Sequence, residues 1–339
     1  ISYSVTGVQT CALPIFTPLV LIVRKGKEIV GIFPFIKEKY TFLGLPVWRL
    51  RAFGNQYLDR TAMILVRDHR QVIEHALSFL IKEAGPWNFI YLQNVSVDTL
   101  LGYYIEKCSK SSRLKLQVLP GYRSPYIAVH SPWQAYYASR SKNFHKQIKN
   151  KTNSLQKKVG DISVSEYRHP EEVEQAMSIV FRIDTNSWKG NAHTSLSATP
   201  RSMAYWKTLT SYLADQKRVR IWVLWVNGEP IAFEYHVKFK KKIYSMKWSY
   251  DARYQQYSPG LILKLHSTES FWAEGIDEID LLGIDDAFKL KWTNSIRQHD
   301  NIFLFNTTAY SILLYILFRI TRSAAILRNS LSKIGRAHV

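Results

Sequence analysis

Hydrophobic and polar positions follow two periods along this chain, and the second half spells them out most clearly. Val219–Val226 is an apolar run, Asn227-Gly228 follows it, Ile231–Phe239 alternates, and a third strand-like stretch covers Lys242–Tyr250. Asn-Gly between two such runs is a hairpin signal, so the pattern predicts a three-stranded antiparallel meander. A helix is expected next over Leu261–Ala273, entered through Tyr257-Ser258-Pro259-Gly260 and stopped at Gly275, with a short strand over Glu278–Leu282 after it. Upstream, Ser131-Pro132 opens a helical segment, a strand lies near Ile162–Tyr167, a helix runs from Pro170 through Trp188, and Thr199-Pro200 opens another that ends near Lys217.

The first half reads as mixed α/β. Leu19–Arg24 and Glu28–Ile36 flank Lys25-Gly26-Lys27 as a hairpin; a strand is expected at Ala62–Val66, a helix at Gln71–Ala84, a strand at Phe89–Gln93, and further alternation up to a turn at Pro120-Gly121. No catalytic motif stands out here, which makes this half a structural or substrate-shaping domain. At the other end Ala309–Ile320 is strongly apolar but too short to span a bilayer before Arg319 and Arg322. It is expected as a helix packed on the second domain, or as one lying flat on an anionic membrane.

Composition adds bounds. The 339 residues fit two domains of ordinary size, and 46% hydrophobic residues with 20 Tyr and 10 Trp are enough to fill a core in each. The two ends read as translated sequencing adapter: Thr10–Ile15 can be encoded by ACGTGTGCTCTTCCGATC, and Ile334–Val339, up to the last base of its final codon, by ATCGGAAGAGCACACGT, which are reverse complements over 17 bases. Residues 1–15 and 334–339 are therefore set aside from fold reasoning and expected to make few core contacts. Of the two cysteines, Cys11 lies in that segment, which leaves Cys108 without an internal disulfide partner and permits a reduced cytoplasm, with or without a peripheral position at the inner membrane face. A formal net charge of +20 implies attraction to anions: phosphorylated cofactors, nucleic acid or an acidic membrane. Arg140, Lys142, Lys146, Lys149, Lys151, Lys157 and Lys158 form a run without an acidic residue, read either as a solvated helix face or as a phosphate-attracting rim.

The chemistry concentrates behind the meander. A helix that begins Ser258-Pro259-Gly260 offers unpaired backbone amides with no bulky side chain in front of them, an anion site by construction, although Ser258 can also serve as an ordinary cap. On Ile231–Phe239 alternation puts Phe233, Tyr235 and Val237 on one face and Glu234, His236 and Lys238 on the other. Glu234 and His236 are thus candidate bases, or parts of a wet strand face. Asp184 and Trp188 share a helical face at a spacing of four, as an acceptor-side wall or as core. Asp285, Asp286 and Lys289 form a polar turn, while Trp292 reads as packing. No His, Cys, Asp or Glu spacing resembles a metal site, so no metal is expected.

The run YDARYQQYSPGLILKLHSTESFWAEG resembles the acyl-CoA-binding segment of the GNAT acyltransferases, with Gln255, Ser258 and Gly260 at the motif positions and Ser replacing its first glycine. Together with FRIDTNSWKG, GEPIAFEYHV, YSPGLILKL and IDLLGIDDAFKLKW, in that order, the chain is similar over most of residues 17–305 to the CelD/BioF-like acetyltransferases, and more distantly to the Fem peptidoglycan transferases. Asp184 stands where the family usually has Glu, and Phe288 where it has Tyr.

The resemblance implies a fold of tandem GNAT-like domains, α/β (α+β), each a mixed, largely antiparallel sheet flanked by helices, over 16–123 and 124–308, with an apolar helix over 309–333. It implies acetyl-CoA or another acyl-CoA as donor, its pyrophosphate on the amides of Ser258, Pro259, Gly260, Leu261 and Ile262 and its pantetheine arm along the strand that carries Met246 and Trp248. Glu234, His236 and Asp280 then stand as catalytic candidates, and Asp184, Trp188 and Lys289 as acceptor-binding ones. The acceptor is expected to be an amine, on a small molecule or a sugar or cell-envelope precursor such as an exopolysaccharide. Two alternatives remain: a Fem-like transferase that uses aminoacyl-tRNA, marked by a long helical hairpin in the second half, and a non-catalytic scaffold at the membrane surface.

Overall fold

A computed structural model describes residues 3–9, 16–54, 60, 61, 63–192 and 194–336. They divide into two compact units, Ile1–Arg123 with Arg297–Val339, and Ser124–Ile296.

The first unit starts with strands β1 (Tyr3–Gln9), β2 (Phe16–Lys25), β3 (Glu28–Phe42), β4 (Leu45–Ala52) and β5 (Ile64–Leu65), then helix α1 (His69–Lys82), β6 (Phe89–Ser96), α2 (Leu100–Ser111) and β7 (Lys115–Ala128), within which the division falls. The β2–β3 hairpin forms at Lys25-Gly26-Lys27 as its pattern predicts. The β3–β4 hairpin was not legible, because its turn places Leu43 at φ 52 beside Gly44 at φ 79, and leucine gives no sign of a left-handed position. The expected turn at Pro120-Gly121 is also replaced: β7 runs straight through both residues. Gly121 allows this, because a Cβ there would stand 3.0 Å from the His299 carbonyl oxygen and 2.7 Å from Asn94 Oδ1. Apolar side chains of β2, β3, β4, β6, α1 and α2, including Leu21, Leu50, Val72, Leu80 and Ile105, make one core.

The second unit contains α3 (Trp133–Ala138), α4 (Lys142–Lys158), β8 (Ile162–Tyr167), α5 (Val173–Thr185), α6 (Trp188–Asn191), α7 (Pro200–Asp215), β9 (Val219–Val226), β10 (Glu229–Phe239), β11 (Lys242–Tyr250), α8 (Pro259–Ala273) and β12 (Glu278–Asp280). Its sheet order is β7-β12-β11-β10-β9-β8, antiparallel except for β11 and β12. The meander is present as read, with Asn227 at φ 48 and Gly228 at φ 76 in the β9–β10 turn, the backbone that this dipeptide favours. On one sheet face lies α8, buried along most of its length, with Leu261, Ile262, Leu263 and Phe271 packed on Trp222, Ala232 and Ile243. Trp206 of α7 sits against Tyr235 on the other.

After β12 the chain continues into β13 (Ile296–Phe305) and α9 (Ala309–Arg336). Residues 297–308, expected in the second domain, belong to the first unit, since β13 pairs with β6 through Phe303↔Tyr91 and Leu304↔Ile90. The apolar C-terminal helix also packs there and not on the second unit: Leu314 and Phe318 join Val47, Phe89 and Phe305. Residues 3–9, expected to make few core contacts, pair along β2 as an edge strand, with Tyr3 bonded to Asp68; Cys11 and Leu13 lie outside the described residues.

Candidate functional site

The start of α8 makes a cavity of about 390 Å³ inside the second unit, lined by Ser258, Gly260, Leu261, Gln255, Trp248, Tyr250, Phe288, Gln147, Lys151 and Lys291. Its geometry begins with Ser258. This residue adopts φ 52, ψ 53, and its side chain makes no capping hydrogen bond, so the ordinary cap reading of Ser258 is corrected. A left-handed residue at the helix entry is a position that favours glycine. Pro259 takes the first helical position, where a missing N–H costs nothing. The amides of Gly260 onward then carry the positive end of the helix dipole. A Cβ on Gly260 would meet Trp248 and Tyr250 at 3.8 Å, ordinary contact, so the protein itself has room for a small side chain there and only a ligand would feel it.

Trp248 stacks on Phe288 at 5.0 Å and forms the apolar wall. Two cations face it: Lys151 donates to the Gln256 carbonyl oxygen at 2.5 Å, and Lys291 to Gln147 Oε1 at 3.2 Å. The cavity thus joins helix amides, two ammonium groups and a flat aromatic wall, which suits a polyphosphate with an extended organic arm. Lys142, Lys146 and Lys149 of the same helix are exposed and do not line it.

Strand β11 is irregular where its ladder to β10 slips: Tyr235 pairs with Lys247 but His236 with Ser245, leaving Met246 without a partner. This bulge reverses the alternation. Trp248 and Tyr250 therefore line the cavity while Met246, grouped with them by simple alternation, does not. Beyond Tyr244, where β12 stops pairing, β11 has an open edge.

The remaining sequence candidates are distributed as follows. Glu234 and His236 lie beneath α8, 2% and 1% exposed, so the wet-face reading is corrected. Glu234 takes Lys264 Nζ at 3.2 Å, Ser267 Oγ and His236 Nε2 at 3.1 Å, and Ser245 Oγ lies 3.1 Å from His236 Nδ1. Burial would raise the Glu234 carboxyl; Lys264, His236 and Ser267 outweigh it and hold the pKa down at about 2. Burial pushes His236 below its ordinary value. Neither lines the cavity, and a carboxylate so firmly held is a weak base.

Asp280 is fully buried at the end of β12, accepting from the Leu282 amide at 3.0 Å, with Lys242 Nζ at 3.6 Å. Asp184 and Trp188 do not share a helical face. Helix α5 stops at Thr185 and α6 starts at Trp188, with the Ser187 hydroxyl donating to the Asp184 carbonyl oxygen. Asp184 is buried, accepting the Leu196 amide at 2.7 Å, and Trp188 is 60% exposed. Lys289 closes its own loop, donating to the Leu282 and Ile284 carbonyl oxygens at 2.8 and 3.0 Å.

Sequence reasoning missed Tyr250, Gln147, Lys291 and the specific place of Lys151. Tyr250 follows Trp248 by two on one strand and was within reach of alternation; the others depend on tertiary packing. No group of three or more metal-ligating side chains occurs among the described residues.

With this geometry in place, comparison with known proteins is decisive for the second unit: residues 142–290 match the family model described as "Acetyltransferase (GNAT) domain". The second unit carries a GNAT acetyltransferase domain. The protein is accordingly an acyltransferase, and the mixed, mostly antiparallel sheets flanked by helices are those expected from its sequence. Among solved structures it is similar to FemX, with TM-score 0.58, 10% identity, and coverage of 88% of this chain and 90% of that one. A C-terminal domain (DUF2156) of a putative lysylphosphatidylglycerol synthetase from Agrobacterium fabrum gives TM-score 0.53 at 11% identity, covering 84% of each chain. A conserved protein of unknown function from Bacteroides thetaiotaomicron gives 0.54 at 12%, covering 81% of this chain and 86% of that one. At such identities the likeness is one of fold. No curated protein matches the sequence.

Proposed function

We propose that this GNAT protein moves an acyl group, acetyl in the simplest case, from acyl-CoA to an amine on a sugar or cell-envelope precursor, as expected for a CelD/BioF-like enzyme. The observation that carries the donor half of this reading is the cavity at the start of α8, lined by Ser258, Gly260 and Leu261 together with Lys151 and Lys291. These groups would hold the pyrophosphate, with Gln255 and Ser258 at the rim and Pro259 fixing the entry. The open edge of β11 beside Trp248 would take the pantetheine amides. The peptide at Met246, where the bulge interrupts the ladder, would polarise the acyl carbonyl in this reading.

Proton transfer falls to Asp280 in this reading: buried like Glu234 and His236, it ends β12 where the two strands part, whereas Glu234 is held by Lys264 and Ser267 of α8 and His236 is bonded to Glu234. Asp184 and Lys189 border the acceptor side, with Trp188 exposed for contact and Lys289 shaping the loop. Calorimetry with acetyl-CoA tests the donor: saturable binding that weakens with salt is expected, and its absence from folded protein would overturn the reading. Asp280→Asn is expected to keep that binding while losing transfer.

The likeness to FemX over nearly the whole of both chains favours one rival, an aminoacyl-tRNA donor. Against it, the long helical hairpin expected for such a transferase is not found among the described residues of the second unit, whose longest helix is α4 with 17 residues. Competition of aminoacyl-tRNA against acetyl-CoA separates the two.

Peripheral contact with an anionic membrane belongs to the same proposal. Leu313, Ile316 and Ile320 are 47%, 47% and 60% exposed on α9, beside Arg319 and Arg322. No helix among the described residues is long and apolar enough to cross a membrane. An exposed apolar stripe flanked by arginines suits an interfacial helix at the inner face of a cytoplasmic membrane. Co-sedimentation with phosphatidylglycerol vesicles but not phosphatidylcholine vesicles is expected, and loss of that binding in a Leu313→Ser/Ile316→Ser variant; equal binding to both, or binding to neither, would refute the contact.

A further inference from the structure

Lys189 occupies a place that the donor reading alone does not explain. Its backbone is fixed twice over: the Ser187 hydroxyl accepts its amide at 3.1 Å, and Gly190 lies so close to Thr185 that a Cβ would stand 1.8 Å from that carbonyl oxygen. From this short helix the side chain reaches β11 and donates from Nζ to the Trp248 carbonyl oxygen at 2.6 Å, with the ammonium 5.9 Å from the indole ring.

The side of β11 on which that oxygen lies follows from the ladder. The Asp251 amide donates to the Ile231 carbonyl oxygen, and Tyr250 and Trp248 are opposite Ala232 and Glu234. In an antiparallel pair of that kind, the peptide groups of Tyr250 and Trp248 point away from the partner strand. The Trp248 carbonyl therefore faces the open edge, beyond the point where β12 stops at Tyr244. Lys189 Nζ is thus on the route between the α8 amides and the place where β11 and β12 part.

Its surroundings favour a reactive amine. The side chain is 21% exposed; Asp184 Oδ1, fully buried and with no hydrogen bond of its own, lies 3.5 Å from Nζ. Burial lowers the Lys189 pKa, Asp184 opposes this, and Lys247 adds to it, with a lowered value as the net result. A lysine less firmly protonated than usual supplies the neutral amine that acyl transfer consumes.

We propose that Lys189 is itself an acyl acceptor, modified by the acyl thioester bound along the open edge of β11. This inference rests on the donor reading above. The neutral Nζ attacks the thioester carbonyl carbon; the N–C bond forms as the C–S bond breaks, sulfur leaves as the CoA thiolate, and the proton shed by nitrogen passes to it, with Asp184 as the nearby carrier. The products are ε-N-acyl-lysine and free CoA. The modified side chain carries no positive charge for Asp184, and its acyl group stays in the groove, so modification limits further donor binding.

The test uses the full chain with acetyl-CoA, no added acceptor, and peptide mass spectrometry, beside calorimetry of CoA binding on the same protein. The expected result is one acetyl group on Lys189, formed well ahead of the exposed Lys142, Lys146 and Lys149, not formed when the protein is heat-denatured before acetyl-CoA is added, and with no replacement site in Lys189→Arg. CoA binding with Lys189 modified no faster than those three lysines overturns the inference and leaves the donor site standing. Absence of CoA binding by folded protein overturns the donor reading and the inference with it.

Discussion

Glu234 of β10 and Lys264 of α8 form an ion pair at 3.2 Å in which the two side chains are only 3% and 4% exposed. The pair ties the helix that carries the candidate donor site to the centre of its sheet. Removing one partner leaves the other charge buried and unpaired, which costs about 3–5 kcal/mol. Lys264→Met is expected to lose that much stability in urea unfolding, and the Glu234→Gln/Lys264→Met double variant to lose less. Additive losses in the double variant would contradict the pairing.

Acid should loosen the same region. Burial holds His236 below the ordinary imidazole value of about 6.5, and His266 shifts the same way for the same reason. Below about pH 6.5 the unfolded chain takes up protons that the folded rings do not, so stability present above that pH declines as it falls. The ion pair adds a second loss lower down, from the ordinary glutamate value of 4.5 toward about 2. Melting temperature is expected to fall between pH 7 and 5, less steeply in His236→Asn; identical slopes would show that His236 is not the group responsible.

Ser258 carries a left-handed backbone that glycine adopts freely, at a cost to other residues of about 1 kcal/mol. Ser258→Gly is therefore expected to leave thermal stability equal or higher, and Ser258→Val to lower it. A drop for glycine as large as for valine would mean that the serine hydroxyl, not the backbone, matters at this turn.

Much of this was legible in the sequence because it is local. Asn227-Gly228 and the apolar runs beside it specify the meander, and Ser258-Pro259-Gly260 marks the start of α8. The unread parts depend on contacts remote in sequence. The return of β13 to β6 leaves no local signal, and the bulge at Met246 changes which side chains reach the cavity. The break between α5 and α6 replaces an apparently continuous helix, because Ser187 bonds back to Asp184. Burial of Glu234 and His236 was hidden for a similar reason: Lys264 and Ser267, which satisfy Glu234, are 30 and 33 residues away on another element, and His236 bonds in turn to Glu234 and to Ser245 of β11.

The lysines also sort by place. Lys151→Ala and Lys291→Ala should each weaken acetyl-CoA binding several-fold and reduce its salt dependence, as both line the cavity, whereas Lys149→Ala should change it little. Equal effects from all three, read by calorimetry at two salt concentrations, would favour diffuse attraction over a built site.

The most direct measurement of the central claim is acetyl-CoA affinity in Gly260→Val, compared with the parent chain and with Lys149→Ala, with folding followed by circular dichroism. The start of α8 converges its amides on one point, and a branched side chain at Gly260 blocks close approach to them. The account predicts binding weaker by about tenfold or more, ~1.4 kcal/mol, in folded Gly260→Val, with Lys149→Ala near the parent. Folded Gly260→Val protein that binds acetyl-CoA as the parent does would contradict it.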